Sequence, residues 1–397
     1  MRALRMAGAA FAVAGALVAA ALVTIPQTPT ATPPATTDPA ITAAVEPPTV
    51  STETTAPAVA PVARAAPPAV PLPRIDVASD QVRVLAPYTW ELVVGGEIIY
   101  GRGVQERVEK YGDPARPFAK VRDILRRADI AIATLEAPLS GEKNKYCDTC
   151  LTFVGNESYV TGIVDSGIKA VSMAANHIGD AGPKGVMDTM RTLAKAGIAS
   201  FGAGADDEAA RRPAILTTPG GRLALLAYAD VPPEAYRATA TRPGYAALVH
   251  DDKGYEAVRA DIAAARRVAD IVIVVTHWGI EYEDQPRPWI VNAAHMMVDA
   301  GADVVMGDHP HWVQSVEVYN GHYIAYSVGN FVFDQMWSTE TRQGSLHRLF
   351  FDGTRLTSVR IVPTLLEDWH QPRPLSPDEP GYRQTMDRIW RHSHLPG

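Results

Sequence analysis

Short apolar, β-branched runs alternate with amphipathic stretches along most of this chain. Ile271–Thr276 and Val304–Met306 are runs of the type that fills the interior of a parallel sheet. Leu92–Val94, Ile130–Leu135, Ala170–Met173, Leu223–Ala227 and Tyr323–Val328 predict further strands. Helices are predicted between them. In Pro183–Ala196, Pro183 suits the first helical turn, Val186, Met190, Leu193 and Ala194 recur on one face, and Gly197 ends the run. Pro117–Ala128 repeats the scheme with Phe118, Val121, Ile124 and Leu125, and Tyr255–Ala269 and Pro288–Ala300 add two more. This alternation predicts an α/β fold with a largely layered sheet. His347–Phe351 and Leu356–Ile361 flank Asp352-Gly353, a hairpin signal, so the sheet is expected to be mixed.

The ends of the chain read differently. Arg2 and Arg5 precede an uncharged apolar run from Met6 to Ile25, the pattern of an export segment. Residues 1–25 are therefore a signal peptide or an N-terminal membrane anchor, since a run of about 20 residues also suffices to span a bilayer. Residues 26–75 are rich in Pro, Ala and Thr and read as a disordered, semi-rigid linker. The folded part is expected over 76–366. Residues 367–397 form a polar, Pro-rich tail with one short helix around Gln384–Arg391, in which His392 and His394 are expected to be solvated.

Composition adds little to this division. The 397 residues are 47% hydrophobic and 20% charged, ordinary for a globular protein, and the net charge of −7 argues against nucleic acid as a partner. The two cysteines form Cys147-Asp148-Thr149-Cys150, read as a local disulfide in an exported chain or as a redox or zinc half-site. Asn156-Glu157-Ser158 matches a glycosylation sequon.

The chemistry gathers where apolar strands end. Glu97 follows Val93-Val94-Gly95-Gly96, Glu136 follows Leu135, and Asn176 and His177 follow Met173-Ala174-Ala175. His277 ends its strand, and His309 and His311 follow Met306-Gly307. Ligands in open α/β sheets sit beyond the carboxyl ends of strands. Carboxylates and imidazoles suit Mg, Mn, Fe or Zn. Seven candidate ligands exceed the needs of one ion, and a pair of ions about 3.5–4 Å apart, as used for displacement at phosphorus, would employ them. Arg102 is placed to hold a carboxylate or phosphate, or to pair with a structural acid. Trp278 and Trp312 are pocket walls or core.

Six segments carry a resemblance. Leu92–Arg102, Thr134–Leu139, Ala175–Gly182, His277–Tyr282, Gly307-Asp308-His309-Pro310-His311 and Ser327-Val328-Gly329-Asn330-Phe331 resemble, in order and spacing, the bacterial CapA-type poly-γ-glutamate capsule synthesis family. That family is similar in fold to calcineurin-like metallophosphoesterases, which implies a layered β-sheet sandwich flanked by helices with metals at the strand ends. The resemblance implies that Glu97, Glu136, Asn176, His277, His309 and His311 are metal ligands for one or two divalent ions and that His177 is an acid or orienting donor. It places Arg102, Glu281 and Asn330 as substrate-binding residues. Glu97 stands where the family usually has Asp, and Ile99 where metallophosphoesterases have His. The expected function is an exported, cell-surface protein of capsule or poly-γ-glutamate synthesis, acting as a metal-dependent hydrolase on a phosphoester or γ-glutamyl substrate. The alternative is a non-catalytic component that binds or exports an anionic polymer within a membrane-bound synthesis complex. A redox module on the cysteines is a third reading.

Overall fold

Trp90–Ile98, Ile130–Leu135, Ala170–Ser172 and Ala199–Phe201 lie side by side and parallel in a computed structural model that describes residues 75–79, 87–141 and 151–395. On its other side Trp90–Ile98 pairs antiparallel with Gln343–Asp352, which turns at Asp352-Gly353 into Arg355–Glu367. Asp76–Ser79 and Gln371–Pro374 also pair with Arg355–Glu367. A second sheet runs Val316–Tyr319, His322–Ala325, Val304–Asp308, Ile271–His277, Gly221–Ala229, Ala214–Thr218, parallel inside and antiparallel at both edges. The export segment, nearly all of the linker and both cysteines lie outside the described residues. Among the described residues, no helix is long and apolar enough to cross a membrane.

The fold is α/β, with two mixed sheets layered against each other and flanked by helices. Side-chain alternation explains the layering. Ile271, Ile273 and Val275 enter a core shared with Leu92, Ile132 and Val171 of the first sheet. Val272 and Val274 enter a second core with Val258 and Ile262 of the helix Asp252–Arg266 and Ile290 and Met297 of Pro288–Asp299. Both faces of Ile271–His277 are therefore buried, which is why it reads as a continuous apolar run.

Two expected elements differ. Pro117–Ala128 is not one helix but a tight 3-10 turn, Arg116–Phe118, followed by Arg122–Arg127. Phe118, Val121 and Ile124 are spaced by three, a period that tight turns satisfy as well as a helix. Phe118 N–H and Val121 N–H donate to carbonyls three residues back. The strand expected over Tyr323–Val328 ends at Ala325. The chain then turns at Gly329 (φ +72°) and crosses to the first sheet, where Asn330–Val332 pairs with Glu97 and Ile98. The crossing needs close backbone approach, since a Cβ on Gly96 would lie 2.0 Å from the Gly329 carbonyl oxygen. Beyond Glu367, helix Pro380–Arg391 buries Thr385, Met386 and Ile389.

Candidate metal centre

The carboxyl ends of the two sheets meet. The register of Trp90–Ile98 against Ile130–Leu135 slips between Val94 and Glu97, a bulge that re-aims the strand end. Glu97 is fully buried there, accepting a hydrogen bond from the His309 backbone N–H through Oε1, with Oε2 2.7 Å from His311 Nδ1. From the second sheet, His277 and Asp308 are paired residues on adjacent parallel strands. His277 Nδ1 lies 2.7 Å from Asp308 Oδ1, while its Nε2 lies 2.9 Å from Asn176 Oδ1 and 3.2 Å from His309 Nδ1. His309 and His311 hold left-handed backbone, φ +92° and +58°, on either side of Pro310. Such positions cost non-glycine residues on the order of 1–2 kcal/mol each and cluster at functional sites.

Charge is unevenly compensated. Burial pushes Glu97 up, but His311, His277 and the His309 N–H outweigh it and hold its pKa below the usual carboxylate range. Burial, then the charges of Glu97 and Asp308, push Glu136 well above that range. Asp308 is raised by burial against the opposing pull of His277. Burial and the neighbouring imidazoles drive His309 well below its ordinary value, while Glu97 overcomes burial and raises His311.

A cation fits this donor set. Among the described residues, one carboxylate from Glu97, one imidazole nitrogen from His277 and one carboxylate from Asp308 place ligand atoms within 4.8 Å of one another. Among the described residues, Glu136 Oε2 is buried with no hydrogen-bond partner, an expensive state for a carboxylate unless a cation faces it. Oxygen and imidazole donors together suit a divalent ion.

The remaining expected residues surround this cluster. His177 is partly exposed, its Nδ1 2.8 Å from Asp180 Oδ2, with its ring 4.0 Å from that of Phe153. Asp180 also accepts from Phe153 N–H at 2.6 Å. Asn330 Oδ1 lies 2.9 Å from His311 Nδ1, and its amide donates to Gln335 Oε1 and the Thr341 carbonyl. Glu281 sits at the rim, its Oε1 3.8 Å from His311 Nε2. Arg102 binds the Asp334 carboxylate through two guanidinium nitrogens and stacks 4.3 Å from Phe153. Ile99 is completely buried in the core. Trp278 is core, donating from Nε1 to the Tyr326 carbonyl at 2.9 Å, and Trp312 is half-buried beneath the Arg388 guanidinium. His392 is half-buried beside Gln285, whereas His394 is exposed. Asn156 caps the turn Glu157–Tyr159 by accepting from Ser158 N–H.

Sequence reasoning passed over Asp308, Asp180 and Asp334 as members of the site. Asp308 carried a usable signal, since it ends a buried strand immediately before His309.

The profile of the family described as "Bacterial capsule synthesis protein PGA_cap" matches residues 91–335, the span that holds every residue of this cluster. The chain belongs to this family. It is 35% identical over 304 residues to the "PGA biosynthesis protein CapA" of Bacillus subtilis (strain 168), covering 76% of this chain and 77% of that one. It is 33% identical over 284 residues to the "Capsule biosynthesis protein CapA" of Bacillus anthracis, covering 71% and 68%. Among solved structures, the sulfate thiohydrolase SoxB of Thermus thermophilus aligns at a TM-score of 0.43 and 11% identity, over 77% of this chain and 60% of that chain.

Proposed function

We propose that this PGA_cap protein is an exported component of capsule or poly-γ-glutamate synthesis whose strand-end cluster binds divalent metal and hydrolyses a phosphoester or γ-glutamyl bond at the cell surface. The observation that carries the reading is the buried Glu97–His277–Asp308 group with Glu136 Oε2, which has no partner among the described residues, beside it. Glu97, Glu136, His277 and Asp308 would hold a first ion of Mn, Fe, Zn or Mg, with Asn176, His309 and His311 adjoining for a second. The metal would polarise the scissile group and supply hydroxide near neutral pH. His177 is oriented by Asp180 through Nδ1, leaving its other nitrogen to carry a proton to the leaving group. Arg102 is held by Asp334, and Asn330 orients His311. The names of the relatives support the capsule context, and Arg2 and Arg5 ahead of an apolar run support export.

A second reading, a non-catalytic subunit that binds an anionic polymer in a membrane-bound complex, is favoured by Ile99. This buried side chain offers no ligand where metallophosphoesterases have His. One experiment separates the two. The full chain is purified, its metal content measured, and phosphoester and γ-glutamyl hydrolysis assayed with and without chelator. Metal-dependent turnover, lost in the double variant His309→Ala, His311→Ala, is expected. Bound polymer without turnover under any metal selects the second reading.

A further inference from the structure

Among the described residues, Glu281, Tyr282 and Trp337 put a carboxylate and aromatic faces at the rim of the site. Tyr282 holds left-handed backbone, φ +64°, and its N–H donates to the Pro310 carbonyl at 2.9 Å. Its ring stacks on His311 at 5.9 Å, and its hydroxyl accepts from Gln335 Nε2 at 3.3 Å. Gln335 is itself tied through Oε1 to the Asn330 amide that braces the site. An aromatic residue in a strained conformation, fixed by backbone and side chain at once, is over-determined by its surroundings. The Trp337 ring meets Tyr282 edge-on at 6.3 Å and is 62% exposed. Next to Tyr282, the Glu281 side chain is 44% exposed and faces His311. The one guanidinium expected at the mouth, Arg102, is occupied by Asp334.

We propose that Glu281, Tyr282 and Trp337 form a subsite for a primary ammonium group, and that the protein engages its polymer at the amino end. Aromatic faces beside a carboxylate attract a cation and repel carboxylates. A γ-linked glutamyl chain carries a carboxylate on every residue and a single ammonium, at its amino terminus. This rim therefore selects the terminus over the interior of the chain and sets the terminal linkage against the buried cluster. The inference rests on the γ-glutamyl reading of the site.

The test uses the full-length protein and two probes, a γ-linked glutamate decamer with a free amino end and the same decamer N-acetylated. Binding is followed by calorimetry and by tryptophan fluorescence. The free amine is expected to bind about tenfold tighter. Glu281→Gln and Trp337→Ala should each close the gap between the two decamers. Both substitutions are at exposed positions, and Tyr282→Phe, which keeps the aromatic face, should retain the gap. Equal binding of the decamers by the native chain, or a gap that survives Glu281→Gln, overturns the ammonium subsite and leaves the polymer reading standing. Failure of both decamers to bind overturns both.

Discussion

His347, between the sheets, and His309, at the strand ends, are both buried, and burial drives both toward the neutral imidazole. Their surroundings differ. His347 Nδ1 lies 2.9 Å from the Tyr323 hydroxyl and its Nε2 3.0 Å from Ser345 Oγ, so neutral hydroxyls satisfy both nitrogens. His309 sits in left-handed backbone among His277, His311 and three buried carboxylates, of which Glu136 has an oxygen that meets no partner among the described residues. A closed set of neutral hydrogen bonds holds a sandwich together. An open set of charged donors in strained backbone is arranged for something that arrives.

The largest test of this contrast is Glu136→Gln. The amide keeps the shape and removes the charge that nothing in the cluster balances. At a metal concentration 1,000 times the dissociation constant, the native chain should gain about 4 kcal/mol of stability, and the variant little or none. Without metal, the variant should melt no lower than the native chain, because it no longer buries a carboxylate facing Glu97 and Asp308. Thermal melts with and without cation measure both. A variant that still gains the full increment would remove Glu136 from the ligand set.

The strand ends were legible because a buried strand is a run of β-branched residues and the polar residue that stops it stands out. Glu97, Glu136, Asn176, His277, His309 and His311 were found this way. Asp308 carried the same strand-end signal, but its contact with His277 comes from the register of Val304–Asp308 against Ile271–His277. Both strands are buried throughout, so their unbroken apolar runs carry no alternation from which that register could be read. Asn330–Val332 was missed as a strand because three residues cross from one sheet to the other through glycine contacts that have no periodicity. The helix Arg102–Tyr111 was missed because only Val104 and Val108 of its residues are buried, leaving a thin apolar stripe. His347 lay inside an expected strand, and nothing in its neighbours announced the hydroxyls that satisfy it.

His347 gives a smaller, pH-dependent test. Burial lowers its pKa from 6.5 to about 3. The unfolded imidazole binds a proton that the folded one refuses, so its contribution is complete above pH 6.5 and is lost as pH falls toward 3. Between pH 6.5 and 4.5 the loss is roughly 2 kcal/mol. His347→Gln should be less stable than the native chain near neutrality, since it disturbs the bonds to Tyr323 and Ser345, yet lose less on acidification. Urea unfolding of both chains at several pH values reads the difference in slope. Parallel slopes would mean that His347 becomes protonated inside the fold.

The smallest effect separates scaffold from site at Arg102. Its guanidinium holds the nearly buried Asp334 carboxylate, which also accepts from Gly103 N–H at 2.9 Å. Arg102→Ala leaves that carboxylate with only part of its hydrogen bonding and should cost about 2 kcal/mol. Because the two side chains act on one another, Asp334→Asn should cost a similar amount. The double variant should then cost clearly less than the sum, with a coupling of about 1 kcal/mol or more. A substrate-binding arginine behaves differently: its removal moves stability by less than about 0.5 kcal/mol, as for a surface change, and weakens polymer binding instead. Denaturant unfolding and decamer binding on the same four chains distinguish the two roles. Strong coupling with unchanged affinity would place Arg102 with His347 as part of what holds the sandwich, although it lies in the same motif, Leu92–Arg102, as Glu97.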